Sequence, residues 1–257
     1  MKLIEALLSE ESSTPKAIFM AGPAGSGKST ILRKLNLENF KIINVDDDYE
    51  ALLKQEFGPE IKFKDMTPDQ LSQAAKMMGS ARKTTREKEV SAIEDKLNIV
   101  IDGTGAAFKP LLKKKADLER LGYNTFMFAL YVSPMTSLKR NAERDRSLPT
   151  PAVLSSWSGL AKNLDIYMEA FGDNIVVIDN DPADADKSYD VEAIKKMFPS
   201  PKGKPKTPEE QAKSDKRKAE LNQQIADLLS KEQSSKRVQQ SVSFEEAQSK
   251  LSQFLQS

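Results

Sequence analysis

The sequence predicts an α/β fold: a doubly wound, five-stranded, mostly parallel sheet with a helical C-terminal appendage. Three observations predict it. Five short apolar runs are rich in Ile, Val and Phe and lack strict alternation, as strands covered on both faces do. Segments with helical apolar spacing separate them. A glycine loop of phosphate-cradling pattern joins the first run to the first helical segment.

The first run is Lys16–Ala21. The loop Gly22-Pro23-Ala24-Gly25-Ser26-Gly27-Lys28-Ser29-Thr30 fills G-x-x-x-x-G-K-[ST] without mismatch. Its glycines let backbone N–H groups turn toward phosphate oxygens, and the helix that follows adds a favourable partial charge. Residues 22–30 are therefore the expected site for ATP and Mg2+. Lys28 would reach the β- and γ-phosphates and Ser29 would ligate the metal.

The second run, Phe40–Val45, leads to Asp46-Asp47-Asp48-Tyr49. Adjacent carboxylates repel one another unless they face water, cations or a reacting hydroxyl. Two readings fit: a base among these acids for an attacking hydroxyl, or an acidic N-cap on a helix from Tyr49 to Phe57. Thr67-Pro68-Asp69-Gln70 then opens a long helix, with Thr67 as N-cap, Pro68 at N1 and Gln70 completing a capping box. Arg82, Lys83, Arg86 and Lys88 on that helix read either as contacts to a polynucleotide or as a solvated face.

The third run, Asn98–Ile101, ends in Asp102-Gly103-Thr104. Beside a phosphate loop, Asp102 is a candidate for Mg2+ or its waters and Thr104 for substrate, although Asp-Gly is also an ordinary turn. The fourth run, Thr125–Val132, precedes a segment carrying Arg140, Arg144 and Arg146. With Arg140 and Arg144 four residues apart, the segment reads as an arginine-bearing lid over the transferring phosphoryl group, or as a solvated charged helix. Thr150-Pro151 opens a helix through about Ala170, and the fifth run is Asn174–Ile178. Asn180 behind it is a candidate to stand beside the adenine.

Composition narrows the chemistry. Net charge is +1, so no global field marks nucleic acid or membrane as a partner. With no cysteine and no histidine, any general base is a carboxylate, lysine or tyrosine. No apolar run approaches the roughly 20 residues of a membrane span, and Met1–Leu8 is too short for a signal peptide, so a cytoplasmic protein is expected.

Three divisions follow: residues 1–198 as the main domain, a Pro/Lys-rich linker over 199–208, and a helical tail over 209–257. The tail places Leu221, Ile225, Leu228 and Leu229 on one helical face. In a second helix capped by Ser243, Phe244, Ala247, Leu251, Phe254 and Leu255 share a face. From Pro199 to Ser257 there are 11 Lys/Arg and 8 Asp/Glu, a net of +3. Such a tail fits a hairpin packed on the body, a binder of a protein partner, a partly disordered segment, or a solvated helical appendage.

Four segments carry a family resemblance: Gly22–Ser29, Phe40–Asp46, Ile99–Thr104 and Leu138–Arg144. Together they resemble the kinase domain of phage polynucleotide kinase and the related zeta-toxin kinases, over roughly Lys16 to Asn180. Ile178-Asp179-Asn180 is also similar to a zeta-toxin segment. The resemblance implies a P-loop kinase fold and transfer of the γ-phosphoryl group of ATP to a hydroxyl. The acceptor would be a nucleotide sugar or a polynucleotide 5′ end. It implies a catalytic aspartate, Asp46 when matched from the strand and Asp47 when matched from Tyr49, and Arg144 as the catalytic arginine helped by Arg140 and Arg146. Glu50 stands where the family carries a basic residue, which removes an expected contact to a substrate phosphate. The resemblance also implies a phage protein acting in a bacterial host. A rival reading makes the phosphate loop a switch and the tail an assembly element.

Overall fold

Strand β1 (Lys16–Ala21) is buried along its whole length, as a central parallel strand must be. In the computed structural model, which describes residues 14–61, 65–144, 147–185, 207–232 and 241–256, β1 lies between β3 (Asn98–Gly103) and β4 (Asn124–Tyr131). Strands β2 (Phe40–Ile43) and β5 (Ile175–Asp179) take the edges, giving the order β2-β3-β1-β4-β5 with every pairing parallel. This order puts the C-terminal ends of β1, β2 and β3 side by side, where open α/β sheets bind ligands.

The strands differ from expectation mainly at their ends. β2 stops at Ile43 instead of Val45, because Asn44 accepts a hydrogen bond from the Asp46 amide (2.8 Å) and caps a helix. β3 runs on through Asp102 to Gly103.

Side chains of each strand alternate between two cores. Ala17, Phe19, Ile99, Met127, Ala129 and Val177 face one side, and Ile18, Met20, Val100, Phe126, Phe128 and Val176 the other. The first face is covered by α3 (Pro68–Glu94), α4 (Phe108–Arg120) and α6 (Thr150–Phe171). The second is covered by α1 (Lys28–Leu35) and α8 (Phe244–Gln256). Helix α2 (Val45–Phe57) pairs with α3 through Tyr49, Leu53, Ala74 and Ala81. Helices α5 (Pro134–Ala142), α6 and α7 (Pro208–Glu232) enclose a further cluster around Trp157.

Several caps follow the sequence. The Thr67 hydroxyl accepts from the Gln70 amide (3.3 Å) while Gln70 accepts from the Thr67 amide (2.8 Å). Ser243 and Glu246 exchange the same pair of bonds at 3.2 and 3.1 Å. Thr150 begins α6, with Pro149 in the cap position before it.

Each tail helix docks on the body along one face and is exposed over most of the rest. Ile225 of α7 is buried against α6, and Ala247, Leu251 and Phe254 of α8 are buried on the sheet, with the Phe254 ring 5.0 Å from that of Phe126. Their apolar faces are filled by the chain's own body. Most of the linker and the segment Met1–Leu8 lie outside the described residues. Among the described residues, no helix is long and apolar enough to cross a membrane.

Candidate active site

The phosphate loop is held from behind. Its chain turns through positive φ at Gly25 (78°) and Gly27 (90°), bringing Gly27 to the N-terminus of α1 with no side-chain cap. The Ser137 hydroxyl donates to the Ala24 carbonyl at 2.5 Å, and Asn180 donates to the Ser26 carbonyl at 2.8 Å. Arg140 donates to the Gly25 carbonyl (3.4 Å) and the Asn180 carbonyl (3.0 Å). These bonds consume carbonyls at the back and leave α1 N–H groups uncapped by side chains at the front.

Arg140 and Asn180 thus stand against the loop backbone. The expected pairing of Arg140 with Arg144 on one helical face is absent, because α5 ends at Ala142 and Arg144 lies beyond it, exposed. The segment carrying Arg144 is closed at its base by Asn141, whose side chain bonds both the carbonyl and the amide of Leu148 (2.9 and 3.0 Å). Arg146 lies outside the described residues.

Lys28 donates to the Gly22 carbonyl at 2.7 Å. Burial pushes its ammonium below the usual pKa; Asp102 opposes this, Arg144 adds to it and Asp46 opposes it. Four charges from the ends of β1, β2, β3 and the segment after β4 are therefore within electrostatic reach of one another. Burial pushes the Asp102 carboxyl up, with Lys28 opposing and Asp46 and Asp47 reinforcing. One Asp102 oxygen accepts from Asn44 (3.1 Å), and the other is buried without a hydrogen-bond partner among the described residues. Ser29, Thr30 and Thr104 are exposed around this centre, the Thr104 hydroxyl accepting from the Ala106 amide at 3.3 Å.

The three acids after β2 sit on the first turn of α2, a setting where the helix dipole favours negative charge. This replaces the expected strand-end placement and the helix start at Tyr49. Asp46 is exposed, and its charge acts on both Lys28 and Asp102. Asp47 accepts from Asn44 (3.1 Å); burial, then the charges of Asp46, Glu50 and Asp48, push its carboxyl above the usual range. Asp48 turns inward and accepts from Thr85 (2.5 Å) and from Lys88. Burial alone would raise its pKa, but the hydrogen bonds from Lys88 and Thr85 prevail and lower it.

Asp48 therefore ties α2 to α3, and its deletion has a pH signature. A lowered native pKa contributes stability above the unfolded value of about 4 and loses it as pH falls through the native value. Asp48→Asn should cost about 1–3 kcal/mol at neutral pH. In denaturant titrations at stepped pH, its deficit against the unsubstituted protein should shrink toward zero in acid. A deficit that stays constant down to acid pH would refute the assignment.

An oxygen-lined centre of this kind fits Mg2+. Hard cations of this size take one or two protein oxygens plus phosphate and water, and Ser29 with the unpartnered Asp102 oxygen offers that set. No group of three or more His, Cys, Asp or Glu that could hold a metal by itself occurs among the described residues.

A cavity of about 540 Å3 between α3 and α4 has Asp102 in its wall. Arg82 and Arg86 line it, along with Lys113 and Lys114, which pair with the lining carboxylates Asp117 and Glu89 (both 2.6 Å), over an apolar floor that includes Ile93 and Leu118. The four basic residues expected on α3 divide: Lys88 binds Asp48, Lys83 pairs with Glu87 at 3.9 Å, and Arg82 and Arg86 face the cavity. Sequence reasoning missed Asn44 and Asn141, whose roles as cap and clasp depend on neighbours in space.

The fold recurs in known structures. The crystal structure of AvrRxo1-ORF1:AvrRxo1-ORF2 with sulphate ions aligns with TM-score 0.53 and 16% identity over 88% of this chain and 84% of that one. The same complex with ATP gives 0.53 and 15% over 89% and 79%. The Pnkp1/Rnl/Hen1 RNA repair complex gives 0.39 and 20% over 62% and 48%. At these identities the two AvrRxo1 alignments show the fold alone. No curated protein sequence matches significantly. The phosphate loop, β2, β3 and the arginine segment all lie within residues 4–183, which match the Zeta toxin family model, and the chain belongs to that family.

Proposed function

We propose that the protein is an ATP-dependent phosphotransferase that moves the γ-phosphoryl group to a hydroxyl of a small acceptor. The observation that carries this reading is the convergence of Lys28, Asp46, Asp102 and Arg144 in front of a phosphate loop whose back is fully engaged. The AvrRxo1 complex crystallised with ATP supports ATP as donor.

In this reading, residues 22–30 hold the triphosphate through backbone N–H groups, and Lys28 moves from the Gly22 carbonyl to the β- and γ-phosphates. Ser29 and Asp102 hold Mg2+, which when bound neutralises charge on the phosphates. Asp46 takes the hydroxyl proton, with Asp47 beside it as the alternative base. Arg144 offsets the charge developing on the transferring group, and Arg140 keeps the loop in shape. Thr104 faces the acceptor. With Lys113 and Lys114 neutralised by Asp117 and Glu89, Arg82 and Arg86 are the positive charges this cleft offers, and two such charges suit a compact anionic acceptor such as a nucleotide sugar better than a polynucleotide 5′ end.

The test is γ-labelled ATP with two acceptor pools, nucleotide sugars and 5′-hydroxyl oligonucleotides. Label is expected in the nucleotide-sugar pool. Asp46→Asn should spare ATP binding and slow transfer by about 10²–10⁴-fold. Equal transfer by Asp46→Asn would remove Asp46 as base, and label in neither pool would sink the acceptor assignment.

A further inference from the structure

After Gly103 the chain leaves the sheet, so the carbonyls that follow lose their ladder partners. Two side chains of α6 replace those partners. The Tyr167 hydroxyl donates to the Gly105 carbonyl at 2.7 Å. Asn163 donates to the Ala106 carbonyl at 3.0 Å and to the Gly105 carbonyl at 3.5 Å. Both side chains belong to buried residues, Tyr167 at 0% and Asn163 at 5% exposure, on a helix face otherwise made of Leu160, Leu164 and Phe171. The segment is also wedged between β1 and α6. Gly105 has φ +68°, and a Cβ there would lie 2.8 Å from both Ala21 Cβ and Leu160 Cδ1.

Phe and Leu would fill these two positions as well for packing alone. Buried polar groups in an apolar face are costly unless satisfied, and when satisfied they specify one arrangement. The arrangement specified here is the path of residues 103–107, directly after Asp102 and around Thr104.

We propose that Tyr167 and Asn163 are positioning residues, which hold the segment after β3 and so fix Asp102 and Thr104 opposite the phosphate loop. The proposal rests on the phosphotransferase reading above. Burial, only partly opposed by Asn163, pushes the Tyr167 pKa up to about 12, which keeps the hydroxyl protonated as a donor at any working pH. Neither side chain touches the reacting groups, so their effect passes through the backbone they grip.

Tyr167→Phe tests this, since it removes one hydroxyl and leaves the ring in the core. Asn163→Ala gives a second, independent route. Three quantities are measured on the full chain: amide hydrogen exchange over residues 103–107, Kd for ATP, and kcat/KM for the labelled acceptor. Exchange over 103–107 should accelerate, and kcat/KM should fall about tenfold in each variant. Kd for ATP measured without Mg2+, which leaves Asp102 out of the comparison, should stay within about twofold, because the phosphate loop is held by Ser137, Asn180 and Arg140 instead.

Unchanged exchange in both variants would overturn the proposal, as would faster exchange with unchanged kcat/KM. A parallel loss of ATP affinity would overturn it too, by showing a global effect. If the unsubstituted protein transfers label to no acceptor, the phosphotransferase reading fails and takes the catalytic purpose with it. The exchange measurement then decides separately whether these residues hold the segment.

Discussion

Lys28→Ala is expected to leave no measurable label transfer while the protein stays folded. The reading assigns this ammonium to the β- and γ-phosphates, and no neighbour replaces it: Arg140 is bound to the Gly25 and Asn180 carbonyls, and Arg144 already has its own part on the transferring group. ATP should bind more weakly as well. Stability should hold or rise. A lysine whose native pKa lies below its unfolded value of about 10.4 is protonated less readily when folded, so its charge opposes folding at neutral pH. That penalty is full below the native pKa, fades as pH rises from the native to the unfolded value and is gone above it, and removing the side chain removes it. Melting curves with label transfer read both effects. Full transfer by the variant would end the case for a phosphate-loop kinase, and a large fall in Tm would show that Lys28 is structural.

A chain ending at Phe198 is expected to lose its cooperative fold. Residues beyond that point supply α8, which covers Phe126, Phe128, Val176 and Ile178 on the second face of the sheet, and Ile225, which closes the cluster around Trp157. Phe254→Ala isolates part of this contribution. Emptying a buried Phe site costs about 3–5 kcal/mol, which in a domain of this size lowers Tm by roughly 10 °C. The truncated chain exposes several such side chains at once and should aggregate or bind hydrophobic dye. A soluble, monomeric truncation with an unchanged melting curve would mean that the tail is dispensable after all.

The strands were legible because their composition leaves few alternatives. Ala17-Ile18-Phe19-Met20-Ala21 before a phosphate loop reads as one central strand, and it is one. The end of β2 was not legible. Val45 continues an apolar β-branched run, and only the bond from the Asp46 amide to Asn44 turns the chain into a helix there. In the tail, periodicity identified the apolar faces of Leu221 to Leu229 and Phe244 to Phe254. It could not say what would cover them, because a period reports a face and not its partner. The site divided in the same way. The loop motif and the acids after β2 and β3 stand out by residue type, whereas Asp48 looked equivalent to its neighbours until Lys88 and Thr85 were found across from it. Asn163 and Tyr167 gave no signal at all, since their partners are backbone carbonyls more than fifty residues away.

The placement of α8 also bears on how the protein is made. Synthesis runs from the N-terminus at about 5–20 residues per second, and α8 is the last of the described elements to emerge. All five strands exist before the helix that, with α1, covers one side of them. For that interval the nascent sheet presents Phe126, Phe128 and Val176 to the surroundings. The nucleotide loop can form early, but protection of the sheet waits for α8, so the yield of soluble protein depends on how quickly that helix emerges and docks.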